Sequence, residues 1–131
     1  MSLKYLFTPH EIRDLEIRNR IYSTAHQTIL AERGAPGDKM AAYHEARAQG
    51  GAGLIIMESS RPYSDDVSAS YYLDSSTDNC IPGYKLVAER VHKHGCKLFA
   101  QINHGGRIAY SHDGLRMVPN GPSLVPDHRF H

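Results

Sequence analysis

The run Gln101-Ile102-Asn103-His104-Gly105-Gly106-Arg107 sets an amide, an imidazole and a guanidinium close together, beside backbone freed by paired glycines. It follows directly on an apolar stretch, Lys97 to Ala100, that reads as a buried strand. A second such strand, Leu54 to Met57, ends at Glu58-Ser59-Ser60, with a helix-like segment between the two. Polar residues at the exits of parallel strands are where a β/α barrel keeps its chemistry. Gln101 both donates and accepts through one amide. That suits the edge of a ring with alternating N–H and C=O groups, such as the pyrimidine edge of an isoalloxazine. Ser59 and Ala25 are small residues at the other strand ends and let a flat ligand approach the backbone. His26 and Gln27 follow the first strand and reach the same region. On type and spacing alone, all of these more often simply end strands with satisfied polar groups. His104 is by the same measure more often structural than catalytic, and Arg107 more often a solvated or loop-tethering charge.

Other chemistries fare worse. Gly50-Gly51-Ala52-Gly53 follows a helix and precedes a strand, whereas a dinucleotide loop must follow a strand and open a helix. The glycines read as helix-stop and turn residues. His92 and His94 sit two apart on a helix, so their rings diverge. His26, His104, His112 and His128 show no ligand spacing, and no metal site is expected. Nothing resembles a nucleophile elbow or a protease triad.

The elements that must position these residues follow from periodicity and punctuation. Glu11 to Arg18 alternates apolar and polar with a break at Arg13-Asp14, a hairpin signal. Ile21 to Ala25 is a short β-prone run, followed by a polar loop through Arg33-Gly34-Ala35-Pro36-Gly37. Asp38 is a good N-cap, Lys39 to Gln49 is rich in helix formers, and Gly50-Gly51 stops that helix. Leu54-Ile55-Ile56-Met57 is continuous and apolar, as expected of a strand covered on both faces. A long polar loop, Ser60 to Cys80, contains Asp65-Asp66, Tyr71-Tyr72 and Asp74. A second helix is expected from about Pro82 to His94, burying Leu86, Val87, Arg90 and Val91. Gly95 closes it, and Lys97 to Ile102 forms the third strand. Beyond Asn103, Pro119, Pro122 and Pro126 exclude long regular elements. The expected fold is α/β: an N-terminal hairpin, then a right-handed parallel βαβαβ unit. That makes about three of the eight units of a barrel whose full length is roughly 250 residues. Open strand edges then have to be covered, by more of the same chain or by association into a homo-oligomer.

Composition bounds the setting. The 131 residues have the length of one ordinary domain, and residues 1–131 are expected to form a portion of a barrel, with no second domain. A hydrophobic content of 40% and a charged content of 22% are globular values. A net charge of +1 with dispersed signs leaves no footprint for nucleic acid or an anionic membrane. The two cysteines, Cys80 and Cys96, lack metal spacing and cannot build a secreted framework. Cys96, between Gly95 and a strand, reads as a small buried hydrophobe. The N-terminus has no apolar leader segment and nothing is long enough to span a bilayer, so a soluble, cytoplasmic setting is expected.

Five motifs occur in order: Leu6-Phe7-Thr8-Pro9; Leu15-Glu16-Ile17-Arg18-Asn19-Arg20-Ile21; Gly51-Ala52-Gly53-Leu54-Ile55-Ile56-Met57-Glu58; Val91-His92-Lys93-His94-Gly95; and Gln101 to Arg107. The series resembles the N-terminal third of the old yellow enzyme family of NADH:flavin oxidoreductases. It is nearest to the bacterial branch that holds 2,4-dienoyl-CoA reductase, trimethylamine dehydrogenase and related N-demethylases. The resemblance implies a TIM (β/α)8 barrel with FMN at the C-terminal ends of its strands. Carried over by motif, Thr24, Ala25, His26 and Gln27 would line the flavin. Ser59 matches a small residue after the second strand's glutamate, and Gln101 a glutamine that bonds the flavin pyrimidine. The family often has proline at the position of Ala25, and threonine, cysteine or histidine at that of Gln27, next to flavin O4. In trimethylamine dehydrogenase that position carries a cysteine bonded to the flavin, so FMN here is expected to be non-covalent.

In the family, the substrate-binding pair, the arginine near flavin N1, the phosphate loops and the iron–sulfur cysteines lie beyond the matched region. By resemblance, a protein carrying the whole barrel would take hydride from NAD(P)H and reduce an activated alkene, such as an enone or enoyl thioester. Its partner would be a small-molecule substrate. Oxidation of an N-methylated amine is the alternative within the class, and a non-catalytic, self-associating βαβαβ unit the alternative outside it. The 131 residues alone are expected to be inactive.

Overall fold

The computed structural model describes residues 3–62, 72–104, 106, 121 and 123. Three parallel strands carry the fold: β3 (Tyr22–Ser23), β4 (Leu54–Arg61) and β6 (Lys97–Ile102). The helix α1 (Asp38–Gln49) joins β3 to β4, and α2 (Ile81–His92) joins β4 to β6. Ahead of them, β1 (His10–Ile12) and β2 (Leu15–Ile17) form the expected antiparallel hairpin, turning at Arg13 in the left-handed region (φ 51°). A further two-residue strand, β5 (Leu73–Asp74), pairs parallel to the end of β4. Ile55 pairs with Ser23 and Leu98, and Ser60 with Leu73 and Ile102. Thus β3 and β5 lie along one edge of β4, at opposite ends of it, and β6 takes the other edge. The βαβαβ arrangement read from the sequence is present as part of a barrel wall, without closure.

The core lies between the sheet and its two helices. Met40, Ala41 and Ala48 of α1 and Val87 and Val91 of α2 meet Ile55, Met57, Leu73 and Cys96, all essentially inaccessible. An ion-pair network ties the helices at their solvent side. Arg90 meets the Asp38 carboxylate at 2.5 Å and Glu45 at 3.7 Å, while His94 approaches Glu45 at 3.3 Å. Asp38 is therefore not the N-cap that its type suggests. Gly37 takes that position, and Asp38 opens the helix with its carboxylate turned to α2. The hairpin is fastened by Arg18, whose guanidinium donates to the carbonyls of His94 (2.7 Å), Ala48 (2.9 Å) and Ala52 (2.8 Å). These carbonyls lie at and just past the C-terminal ends of α2 and α1, where backbone acceptors lack partners and positive charge is favoured.

The glycine run after α1 has the structural role expected of it. Gly51 adopts φ 105°, and a Cβ on Gly53 would lie 2.6 Å from Asn19 Oδ1. Asn19 itself donates to Gly51 O at 2.9 Å and accepts from Ile21 N at 3.1 Å. Close approach of hairpin to helix end is what these glycines permit.

Three boundaries differ from expectation. The strand expected over Ile21 to Ala25 is paired only at Tyr22–Ser23. The strand from Leu54 runs on to Arg61, because β5 and β6 both pair with its polar end. The second helix ends at His92, and His94 and Gly95 close it with turn hydrogen bonds to Val91 O and His92 O. Asp65, Asp66, Tyr71, Gly105, Arg107, His112, Pro119, Pro122, Pro126 and His128 lie outside the described residues. Among the described residues no helix is long and apolar enough to cross a membrane, and no cluster of metal-ligating side chains is present.

Candidate functional site

The C-terminal ends of β4 and β6 are joined by a register shift that brings two candidate residues side by side. Ile56 pairs with Phe99, and the next pair is Ser59 with Gln101. Two residues of β4, Met57 and Glu58, thus face one of β6, Ala100, which is a β-bulge. Strand side chains alternate between faces. Without the bulge, Ser59 would share a face with Ile55 and Met57 and pack against the helices. With it, Ser59 joins Ile56, Phe99 and Gln101 on the opposite face. That face, together with the hairpin, bounds an open apolar hollow of about 420 Å³ lined by Ile12, Ile17, Tyr22, Leu54, Ile56 and Phe99. Ser59 and Gln101 follow Ile56 and Phe99 on that face, toward the C-terminal strand ends and beyond the residues that line the hollow.

Gln101 is exposed, and its amide makes no hydrogen bond among the described residues. Ser59 is half-buried beside it. Ser60, one residue on, faces the helices instead: its hydroxyl meets Ser75, which reaches Tyr84 of α2 at 3.3 Å. His104, beyond β6, accepts from the Gly106 amide at 3.0 Å, a local turn contact.

Thr24, Ala25, His26 and Gln27 leave β3 on the other side of β4. Thr24 and Gln27 are exposed and Ala25 is half-buried. His26 turns toward α1: its Nδ1 meets Thr24 O at 3.1 Å and its Nε2 meets the Tyr43 hydroxyl. Tyr43 also stacks edge-on against the buried His44 and carries the Arg47 guanidinium over its ring, 3.3 Å from the centroid. The segment is tied back to the sheet at its far end. The backbone N–H of Thr28 donates to Glu58 Oε2 at 2.7 Å, and the Thr28 hydroxyl donates to the same oxygen. Glu58 is 2% exposed, and its second oxygen has no partner among the described residues.

Three features of this region are not legible in residue type and spacing. Glu58 was visible only as the end of an apolar run, although a carboxylate is almost never buried unless paired. His44, on the buried stripe of α1, carried no signal of burial beyond its spacing from Met40, Ala41 and Ala48. Both its ring nitrogens lack partners among the described residues. Burial, with the nearby Arg47 and His26 charges, pushes its pKa down to about 4. Ile29, at φ 60°, is a β-branched residue in the left-handed region, and nothing in its type announces that.

The arrangement defines a class. It is a stretch of β/α-barrel wall, with a small residue and an unspent amide adjoining at two strand tips and a tethered polar segment leaving a third. The chain belongs to the NADH:flavin oxidoreductase / NADH oxidase family, whose model matches residues 5–128. It is 42% identical over 110 residues to the N,N-dimethylglycine/sarcosine dehydrogenase of Chromohalobacter salexigens, covering 82% of this chain and 16% of that protein. It is 38% identical over 125 residues to the NADH oxidase of Thermoanaerobacter brockii, covering 92% of this chain and 19% of that protein. With the multifunctional alkene reductase/demethylase OYE of Caballeronia cordobensis it shares 32% identity, over 95% of this chain and 18% of that protein. Among solved structures, morphinone reductase superposes with a TM-score of 0.75 at 28% identity, over 92% of this chain and 32% of that one. The chain spans less than a fifth of each of the three named curated relatives.

Proposed function

We propose that this chain supplies the pyrimidine-side wall of a non-covalent FMN site in an NAD(P)H-dependent oxidoreductase. The observation that carries the reading is the pairing of Ser59 with Gln101 on one face at the C-terminal strand ends. The exposed amide of Gln101 is unspent, and the residue beside it is too small to block a flat ring. These residues fit the group: Gln101 offers one donor and one acceptor, as the alternating edge of the ring requires. Thr24, Ala25 and Gln27 would border the ring from the β3 side, with Gln27 able to donate a hydrogen bond near O4, while the His26 side chain is turned to Tyr43 of α1.

When bound, FMN supplies the hydride chemistry, and the protein supplies orientation and electrostatics. The chain's own contribution would be to offer one ring edge the donor and the acceptor of the Gln101 amide, beside the small Ser59. The phosphate grip and the substrate determinants would come from the barrel strands that the family carries beyond the region matched here. The 131 residues alone are accordingly expected to turn over no substrate.

Reduction of an activated alkene such as an enone or enoyl thioester is the first reading of the reaction. A second, oxidation of an N-methylated amine, is favoured by the 42% identity to the dimethylglycine/sarcosine dehydrogenase. A protein carrying this chain with the remaining barrel strands should purify yellow, or stay yellow when desalted after addition of FMN. Under anaerobic conditions, NADPH should bleach it and an enone restore the colour. Bleaching by sarcosine or dimethylglycine instead would select the amine reading. A protein that retains no flavin once free FMN has been removed by desalting would refute both.

A further inference from the structure

The segment that carries Thr24 to Gln27 ends in a strained turn that a single buried carboxylate holds shut. Ile29 sits at φ 60° and is 63% exposed, so no packing of its own side chain explains the conformation. A β-branched residue is strained there, and such strain persists only where its surroundings over-determine it. Here the surroundings are explicit. Thr28, immediately before Ile29, gives both its N–H and its hydroxyl proton to Glu58 Oε2. The Thr28 hydroxyl oxygen in turn accepts from Leu30 N at 3.2 Å, on the far side of Ile29. Leu30 packs against the hydrophobic core. The strained residue is therefore clamped from both sides, and both clamps run through Thr28 to one carboxylate.

Glu58 also lies within the β-bulge, and the next residue is Ser59. One buried side chain thus links the bulge that puts Ser59 on the ring-facing side to the segment whose last candidate residue, Gln27, adjoins Thr28. We propose that Glu58 is a positioning residue for the flavin site: through Thr28 it fixes the position of the Thr24–Gln27 segment relative to Ser59 and Gln101. The inference rests on the FMN reading above. It assigns Glu58 no contact with the ring.

The test uses the barrel-complete protein and the variants Glu58→Gln, Thr28→Val and their combination. Glu58→Gln keeps the size of the side chain but removes the charge that strengthens both hydrogen bonds. The expected result is FMN binding weakened about tenfold in each single variant, the fall expected when a charge-assisted hydrogen bond is lost. The double variant should be no weaker than either single one, because both act through one contact. The flavin reduction potential should move in the same direction in all three, and exchange of the Thr28 and Leu30 amide protons should speed up even without FMN. Unchanged FMN affinity and potential, with amide exchange accelerated, would overturn the proposal and leave Glu58 a fold-stabilising residue only. Additive effects in the double variant would overturn it as well. A wild-type protein that binds no FMN would instead refute the functional reading, while the exchange measurement would still report on the clamp.

Discussion

Acidification is expected to remove about 3 kcal/mol of stability through one side chain, His44, as the pH falls from 6.5 toward 4. The imidazole is 1% exposed, and both its nitrogens lack partners among the described residues. Burial is the main cause of its low pKa, and the Arg47 and His26 charges add to it. The sign follows from proton counting. Above pH 6.5 the ring is neutral in both folded and unfolded chains, and this contribution is fully present. Between 6.5 and about 4 the unfolded chain binds a proton that the folded one refuses, so stability declines as pH falls. Below about 4 both states are charged, and the loss from this residue is complete.

His44→Met replaces the ring by a flexible apolar side chain that needs no partner. Urea unfolding midpoints from pH 4.5 to 7.5 should fall more steeply for the wild type than for the variant. At pH 7 the variant should be no less stable, since two buried nitrogens without partners are removed. Parallel curves for the two proteins would show that His44 is not buried in its neutral form.

Gly83→Ala should cost about 3 kcal/mol or more, although helix propensity alone favours the change by about 1 kcal/mol. Gly83 lies in the first turn of α2, and a Cβ there would stand 2.2 Å from Pro36 O, 2.9 Å from Pro36 Cδ and 3.1 Å from Pro36 C. The obstacle is backbone and a proline ring, which cannot rotate away. The loop behind it is also fixed. Glu32 and Ala35 exchange backbone hydrogen bonds of 2.8 and 3.1 Å, and Asp74 N donates to Gly34 O at 2.7 Å. Moving Pro36 would therefore disturb β5 as well as the start of α1. Gly51→Ala is the useful control: its φ of 105° is strained for alanine, but no atom lies within 4 Å of the added methyl. It should cost only the backbone penalty, about 1 kcal/mol. Thermal unfolding of the two variants separates steric from conformational cost. Equal losses would mean that the loop yields to Gly83→Ala.

The parts of this fold written in local chemistry were readable from the sequence. Lys97 to Ile102 is the expected strand, because Gly95 stops the helix before it, but it is not the buried strand that its apolar run suggests: Lys97 to Phe99 are half-buried and Ala100 to Ile102 exposed. The hairpin break at Arg13-Asp14 and the glycine stop after α1 are likewise local. What escaped depends on partners far along the chain. The two-residue strand β5 exists because Ser60 and Arg61 extend past the apolar run to pair with it. Asp38 leaves its capping role because Arg90, far along the chain, offers a stronger one. The α1 stripe was hard to see because three of its four buried positions are alanine and histidine, types equally common at a surface.

The candidate site divides the same way. Gln101 was suggested by its place after a strand and by the chemistry of an amide. The face on which Ser59 stands was not readable, since alternation from Ile55 and Met57 would put it toward the helices, and only the bulge reverses that. Nor did residue type reveal that His26 turns to Tyr43 or that Glu58 holds Thr28. Both contacts join a loop to an element that periodicity describes only as apolar or helical.

If a planar cofactor leans on neighbouring strand tips, then trimming one side chain there must loosen it. Fluorescence titration of FMN into the barrel-complete protein and its Gln101→Ala variant measures this directly. The dissociation constant should rise about tenfold in the variant, the loss of one to two hydrogen bonds, with the unfolding midpoint unchanged because Gln101 is exposed. Equal affinity in the two proteins would contradict it.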